Sequence, residues 1–399
     1  MNASVKTQKG LWNSQFLSFL IFKIISISSV TTTNSVLSLY IVDRYNGSAA
    51  QVGLISSLTV LTTMIFRPFS GFIVDRWGRK RALIISFIFI ALSNFLLILP
   101  LNMVALGIIR FFVGIPFSLY TTATGTVSAD ILPDENRSDG FGIISIVTML
   151  AGVVLAPNLG FLLMGNGFYE RIFMTTGFLG LAAIILVMLM PYKDVRNPAA
   201  TFSMNTSFEG KAYRIAAVLC FLMLGMPGLF TFGPLYAQQL GVGSKGLFLL
   251  FYGCGLLISR RLCRNLVNMD DPKKVATVTI ALILVGFSMI GSIHSTVGFF
   301  LGSCILGIGY GMVFAIFSPM ALRLVDPCRL GACNATLIFG QDIGSFLGLY
   351  VFSWSVQAFE NYSTPYLLIG LMMVIPLGIF YKSGLPHYMK MLNEKSQEE

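Results

Sequence analysis

The chain has 399 residues, 55% of them hydrophobic and only 11% charged. Soluble domains carry roughly 25% charged residues, so this is the composition of an integral membrane protein, and it leaves no room for a separate catalytic domain. The net charge of +10 does not mark a nucleic-acid binder, because the cations fall in short loops between apolar runs, where they act as topology signals and contacts for anionic lipid.

Lys6 and Lys9 lead into a first apolar run near residues 14–41, which reads as a retained helix because no small-residue cleavage site follows a short apolar core. Further runs bounded by charges, Gly or Pro follow near 52–74, 81–100, 103–127, 141–165 and 171–191. Residues 193–211 then form the longest polar connection, opened by Lys193, Asp194, Arg196, Asn197 and Pro198. Beyond it come runs near 212–238, 245–262, 274–293, 296–321, 332–358 and 363–381. A spanning helix needs about 20 apolar residues. Helix is the expectation throughout, since lipid cannot satisfy an open backbone and the runs are too long and apolar for barrel strands.

The pattern therefore predicts an all-α membrane protein with twelve transmembrane helices. A bundle of six over 1–192 and a second over 212–399 are joined by the connection at 193–211. Internal similarity supports two parallel repeats. Leu39-Tyr40 recurs as Leu235-Tyr236 and Asp130 as Asp326, both at an offset of 196, while Gly53 and Arg67 recur as Gly246 and Arg260 at 193. Such repeats are expected where two halves rock about a central site. With the N-terminus inside, cytoplasmic loops and tails hold 21 of the 27 Lys and Arg residues, against Arg44, Arg171 and Lys245 outside. Both termini are thus expected on the cytoplasmic side.

The segment Gly71-Phe72-Ile73-Val74-Asp75-Arg76-Trp77-Gly78-Arg79-Lys80-Arg81 lies between the second and third runs. Gly71 would let helices approach closely and Gly78 supports a tight turn. This string resembles the signature loop between the second and third helices of the major facilitator superfamily of transporters. The resemblance implies a conformational latch formed by Gly71, Asp75, Arg76, Gly78, Arg79 and Asp130. Asp75 would face the N-terminus of the eleventh helix, where the macrodipole favours an anion, and Arg79 would pair with Asp130 at the end of the fourth. The alternative is that these residues only orient the helices. The loop from Asp130 through Asp134, Glu135 and Asp139 to Gly140 also resembles efflux members, and its acids read as a solvated helix-capping loop rather than a metal site.

Two further elements resemble the same family. Arg110-Phe111-Phe112-Val113-Gly114 is similar to the Arg-x-x-x-Gly element of the fourth helix, for which a role in proton transfer is implied; the alternative is a structural arginine bonded to backbone carbonyls. Gly152, Ala156, Pro157 and Gly160 resemble the fifth-helix antiport motif, departing from it at Ala156 and Phe161, and serve equally as a helix-packing site with a proline kink.

The charges inside spans are Lys23, Arg67 and Arg110 against a single acid, Asp342. Asp342 is expected either to carry a coupling proton or to form a permanent ion pair with Lys23 or Arg67. The excess of cations favours an anionic or zwitterionic substrate. Cavity candidates on the first, fourth, seventh and tenth helices are Asn34, Tyr40, Tyr120, Phe232, Tyr236, Gln239, Tyr310 and Phe314, with Ser29, Thr32, Thr33 and Thr121 beside them.

Six cysteines, Cys220, Cys254, Cys263, Cys304, Cys328 and Cys333, form no CxxC pair or Cys/His cluster, so free thiols are expected, and no metal. His294 in an outer loop and His387 in the tail read as solvated. No Walker motif and no nucleophile–base set occur, which excludes ATP drive and enzymatic chemistry. The expectation is a cofactor-free, alternating-access transporter in a bacterial plasma membrane. It would act as a monomer and exchange protons for a small organic molecule on the way out. Import or symport of an anionic nutrient, export of an anionic metal chelator, and a non-transporting sensor are the alternatives.

Overall fold

The computed structural model describes residues 10–165, 167–197, 202, 208–266, 272–326 and 329–398. Lys6, Lys9, Pro198 and Cys328 lie outside the described residues. Among the described residues the chain is helical, in twelve successive helices. These are α1 Ser14–Tyr45, α2 Ala49–Trp77, α3 Arg79–Leu96, α4 Met103–Ile131, α5 Asp139–Met164 and α6 Tyr169–Leu189, then α7 Gly210–Gln239, α8 Leu247–Leu266, α9 Pro272–Ser292, α10 Thr296–Arg323, α11 Leu330–Phe359 and α12 Ser363–Met391.

Ten of these, among the described residues, are long and apolar enough to cross a membrane. The two that are not, α3 and α8, fall on expected runs but carry Arg79, Lys80 and Arg81, and Arg260, Arg261 and Arg264, within their own length. Helix extends past the apolar run at the C-terminus, where Leu385–Glu398 continues it.

Local chemistry sets the helix ends. The Asn102 side chain accepts from Ala105 N at 2.8 Å to start α4, and Ser295 accepts from Gly298 N at 3.1 Å to start α10, each filling one donor that the first helical turn leaves open. Three π-helical segments, Leu150–Leu155, Gly228–Phe232 and Phe380–Gly384, each end two residues before a proline: Pro157, Pro234 and Pro386. A proline has no N–H to give and its ring crowds the carbonyl four residues back. Widening the preceding turn relieves both.

The contacts divide the chain into two compact units. Unit 1 is Met1–Thr33 with Phe69–Phe202; unit 2 is Asn34–Pro68 with Ser203–Glu399. In unit 1, α3 packs on α4 and α6. Gly152 lets α5 meet Ile27 of α1, and Thr32 donates to Ala156 O at 3.0 Å, so the run through Ala156, Pro157 and Gly160 is a helix-packing surface. In unit 2, α8, α9 and α12 surround α10 or each other, and α7 lies on α11.

Candidate functional site

The α2–α3 loop is built around Gly78, whose φ of +101° is a conformation that L side chains rarely adopt. Arg79 opens α3 and is 9% exposed. Its Nη2 lies 3.3 Å from Asp75 Oδ1 and its Nε 3.4 Å from Asp130 Oδ2, so the loop, the end of α2 and the end of α4 share one guanidinium. Arg76 is exposed, its guanidinium 5.6 Å from the Phe72 ring centre. Among the described residues nothing lies within 4 Å of where a Cβ on Gly71 would stand, so the close helix approach expected there is not seen.

Residues 190–197 lie across this loop. The Asp194 carboxylate occupies the space beside Gly78 and accepts from Lys80 N at 3.0 Å. Arg79 Nη1 donates to Val195 O at 2.8 Å, Lys80 Nζ to Met190 O at 2.7 Å, and Asn197 N to Asp75 O at 2.8 Å. Tyr192 donates its hydroxyl to Asp130 Oδ2 at 2.5 Å. Burial and the neighbouring Asp130 push the Tyr192 hydroxyl well above the ordinary tyrosine range, so it remains a donor. Sequence spacing carries no signal for this strap, because every partner is distant in the chain.

Deeper in unit 1, the Lys23 ammonium stands 5.3 Å from the centre of the Tyr120 ring. Tyr120 is 2% exposed, and its hydroxyl lies 3.2 Å from Ser26 Oγ, which donates in turn to Lys23 O at 3.1 Å. Arg110 is 5% exposed on α4. Ser29, Thr32 and Thr33 are buried, with Thr33 Oγ1 3.0 Å from both Asn94 Oδ1 and Thr176 Oγ1. Thr121 bonds back to Phe117 O of its own helix.

In unit 2 Asp342 meets Arg67, one of the two cations expected for it. Arg67 Nε meets Asp342 Oδ2 at 2.6 Å, with the two side chains 11% and 18% exposed. The pair continues a seam in which the hydroxyls of Ser57 and Tyr350 lie 3.2 Å apart and Gly53 abuts Ser353. The order 53, 57, 67 against 353, 350, 342 makes α2 and α11 antiparallel along it. The other face of α11 is fixed by Gly340, Gly344 and Gly348, which sit directly on the Ala216, Cys220 and Leu224 carbonyls of α7. Residues two apart do not share a helix face. This glycine ladder therefore turns Asp342 away from α7 and towards Arg67.

The remaining candidates in unit 2 divide by burial. Phe232, Tyr236 and Tyr310 are 0–2% exposed: Phe232 stacks on Phe352, Tyr236 donates to Ile290 O at 3.3 Å and Tyr310 to Leu222 O at 2.8 Å. Tyr40 is also buried, its hydroxyl 3.4 Å from that of Tyr45. Asn34, Gln239 and Phe314 are exposed, and Gln239 accepts from Tyr362 N at 3.4 Å.

A cluster that sequence reasoning missed joins the starts of α7 and α11. Arg329 Nε donates to Glu209 Oε2 at 2.8 Å and its Nη2 to Phe208 O, while Glu209 N donates to Thr336 Oγ1 at 2.8 Å. His387, read from sequence as solvated, is half-buried instead. Its Nε2 lies 3.0 Å from Lys211 O, because the helical tail brings it onto the start of α7. His294 is exposed. The described cysteines are free thiols, and no group of three or more His, Cys, Asp or Glu among the described residues could hold a metal.

Twelve successive helices among the described residues, ten of them long and apolar enough to cross a membrane and one ion pair set within them, define a polytopic membrane protein. The chain belongs to the Major Facilitator Superfamily, whose family model matches residues 14–349. It is 24% identical to the staphylopine export protein of Staphylococcus aureus (strain Mu50), over 95% of this chain and 98% of that protein. It is also 24% identical to the quinolone resistance protein NorA of Staphylococcus aureus (strain MSSA476), over 52% of this chain and 55% of NorA. Among solved structures, the nucleoside transporter NupG aligns with a TM-score of 0.76 at 13% identity, covering 94% of this chain and 99% of NupG. A bacterial homolog of the human lysosomal transporter Spinster aligns with a TM-score of 0.73 at 14% identity, over 96% and 98%. The protein is thus an integral membrane transporter acting on a small molecule, with an export protein among its relatives.

Proposed function

We propose that the protein exports a small anionic or zwitterionic organic molecule in exchange for protons. It works as a monomer by alternating access between two six-helix halves, with both termini cytoplasmic. The setting is a bacterial plasma membrane, in keeping with the bacterial relatives. One observation carries the reading: the single acid inside the expected spans, Asp342, is held on Arg67 about 18 Å into α11 at 1.5 Å per residue. A charge in a span costs roughly 2.5–3.5 kcal/mol, and this pair offsets that cost only while both partners are charged. Protonation of Asp342 releases Arg67. An anionic substrate on Arg67 likewise releases Asp342 to take a proton. Protonation of Asp342 and binding of an anion at Arg67 then promote one another, which links proton and substrate through one guanidinium. Movement in opposite directions is taken from the export relative, since export driven by an inward proton gradient must be exchange. Arg110 is assigned to the same proton and substrate handling. The latch of Asp75, Arg79 and Asp130 biases the conformational equilibrium. Export is favoured over import by the name of the relative that aligns over nearly the whole chain.

The test is proton movement in everted vesicles on adding candidate substrates, comparing the intact protein with Asp342→Asn. Substrate-triggered proton release from acidified vesicles that is lost in the variant supports the reading. Equal responses remove Asp342 from coupling. Substrate flux without proton movement makes the protein a facilitator or assigns another coupling ion.

A further inference from the structure

Lys23 and Asp342 meet the membrane differently. Asp342 has its counter-ion, whereas among the described residues no carboxylate lies within ion-pair distance of Lys23, and its described partner is the face of the Tyr120 ring. Lys23 is nine residues into α1, about 14 Å from Ser14 at 1.5 Å per residue, and is half-buried rather than sealed. A ring face attracts an ammonium but accepts no strong hydrogen bond from it, and it offsets only part of what a charge costs inside a span. Among the described residues none of its three N–H donors has an acceptor.

The ring beside that ammonium is held in place by its own neighbours. Tyr120 packs edge-on against Phe87, with ring centres 5.1 Å apart, and lies beside Phe117; Phe87 in turn is edge-on to Phe22. At its other end the Tyr120 hydroxyl is tied to Ser26, and Ser26 to the Lys23 carbonyl. The ring that carries the cation is therefore anchored to the turn that bears it. A donor resting on a ring that is itself fixed by its neighbours is preorganised for an acceptor brought from elsewhere.

We propose that the Lys23 ammonium, set on the Tyr120 ring, is the anchor for a carboxylate group of the transported molecule. The site rests on the transporter reading above and narrows its substrate to organic acids. One compact positive charge beside an aromatic ring matches a monoanion carried on an apolar or aromatic body. A phosphate dianion would need further donors, and planar bidentate recognition would call for arginine.

The experiment measures thermal stabilisation of the purified protein by benzoate, nicotinate and citrate, with benzamide, nicotinamide and inorganic phosphate as controls. Variants are Lys23→Met, which replaces the ammonium with an apolar chain of similar length and so leaves the fold intact, and Tyr120→Phe, which keeps the ring. The expected result is stabilisation by one or more acids but not by the amides or phosphate. Affinity should fall by roughly thirtyfold or more in Lys23→Met, the loss seen when one partner of a desolvated charge pair is removed, and by a clearly smaller factor in Tyr120→Phe, which keeps the ring face and loses only the tie to Ser26. Equal binding to Lys23→Met, equal action of the amides, preference for phosphate, or no response to any acid would overturn the proposal. Vesicle flux separates this failure from the larger one. A substrate that Lys23→Met still exports removes the anchor and leaves the exporter, whereas absence of any flux in the intact protein removes both.

Discussion

Arg67 and Asp342, 275 positions apart in sequence, meet at 2.6 Å on the seam between α2 and α11. The Gly340–Gly344–Gly348 ladder that fixes the rotation of α11 puts the carboxylate there. Removing one member of a buried ion pair strands the other charge and costs about 3–5 kcal/mol, while replacing both by apolar groups is often neutral. Arg67→Met is expected to lower the thermal midpoint markedly in detergent, and Arg67→Met with Asp342→Leu to recover most of it. If the single variant is as stable as the parent, the pair contributes nothing to the fold.

Tyr192 makes the strap over the α2–α3 loop testable. Its hydrogen bond to the Asp130 carboxylate is of the charge-assisted kind, worth about 1.5–3 kcal/mol. Tyr192→Phe should therefore destabilise unit 1 by an amount in this range. Its folded-state pKa is shifted upwards by burial and by Asp130. Stabilisation is then full below the ordinary tyrosine value of about 10 and declines only as the pH rises above it. Unfolding midpoints taken across the alkaline range should converge for the parent and Tyr192→Phe; parallel curves would contradict the assignment.

Glu209 gives the opposite pH signature. Burial alone pushes its carboxyl up, but the Arg329 hydrogen bond, the Lys211 N–H and the two cations outweigh this and hold it below the usual carboxylate value. A depressed acid stabilises the folded state above its unfolded value, and that contribution is lost as the pH falls through the folded one. The parent is expected to lose stability below about pH 4.5, and Glu209→Gln to be less stable at neutral pH by about 1 kcal/mol with a flatter acid limb. A Glu209/Arg329 double-mutant cycle with no coupling energy would refute it.

Which parts of this structure the sequence makes legible follows from distance along the chain. The spans are legible because lipid demands long apolar runs, and the turn at Gly78 because its neighbours leave no room for a side chain. Arg79 with Asp130 is legible only through resemblance, and Asp342 only as a choice between two cations. The strap at 190–197 and the Glu209–Arg329 pair are not legible, since partners 62 to 122 residues apart leave no periodic trace. Aromatic character alone also misleads. Tyr310 and Tyr236 look like cavity residues, yet each spends its hydroxyl on a buried backbone carbonyl.

Two glycines that look alike in sequence should therefore behave in opposite ways. Gly71 lies inside α2 with nothing within 4 Å of where a Cβ would stand. In a helix interior glycine is worse than alanine by roughly 0.5–1 kcal/mol. Gly71→Ala is therefore expected to fold at least as well as the parent. Gly344 presses on the Cys220 carbonyl, a backbone atom that cannot rotate aside. Gly344→Ala must push α11 off α7, at a cost typical of overpacking, about 1–3 kcal/mol, and the shift would carry Asp342 away from Arg67. Stability and proton coupling should then fall together in Gly344→Ala and neither in Gly71→Ala. Normal coupling in a destabilised Gly344→Ala would mean that the Arg67–Asp342 contact does not depend on the ladder.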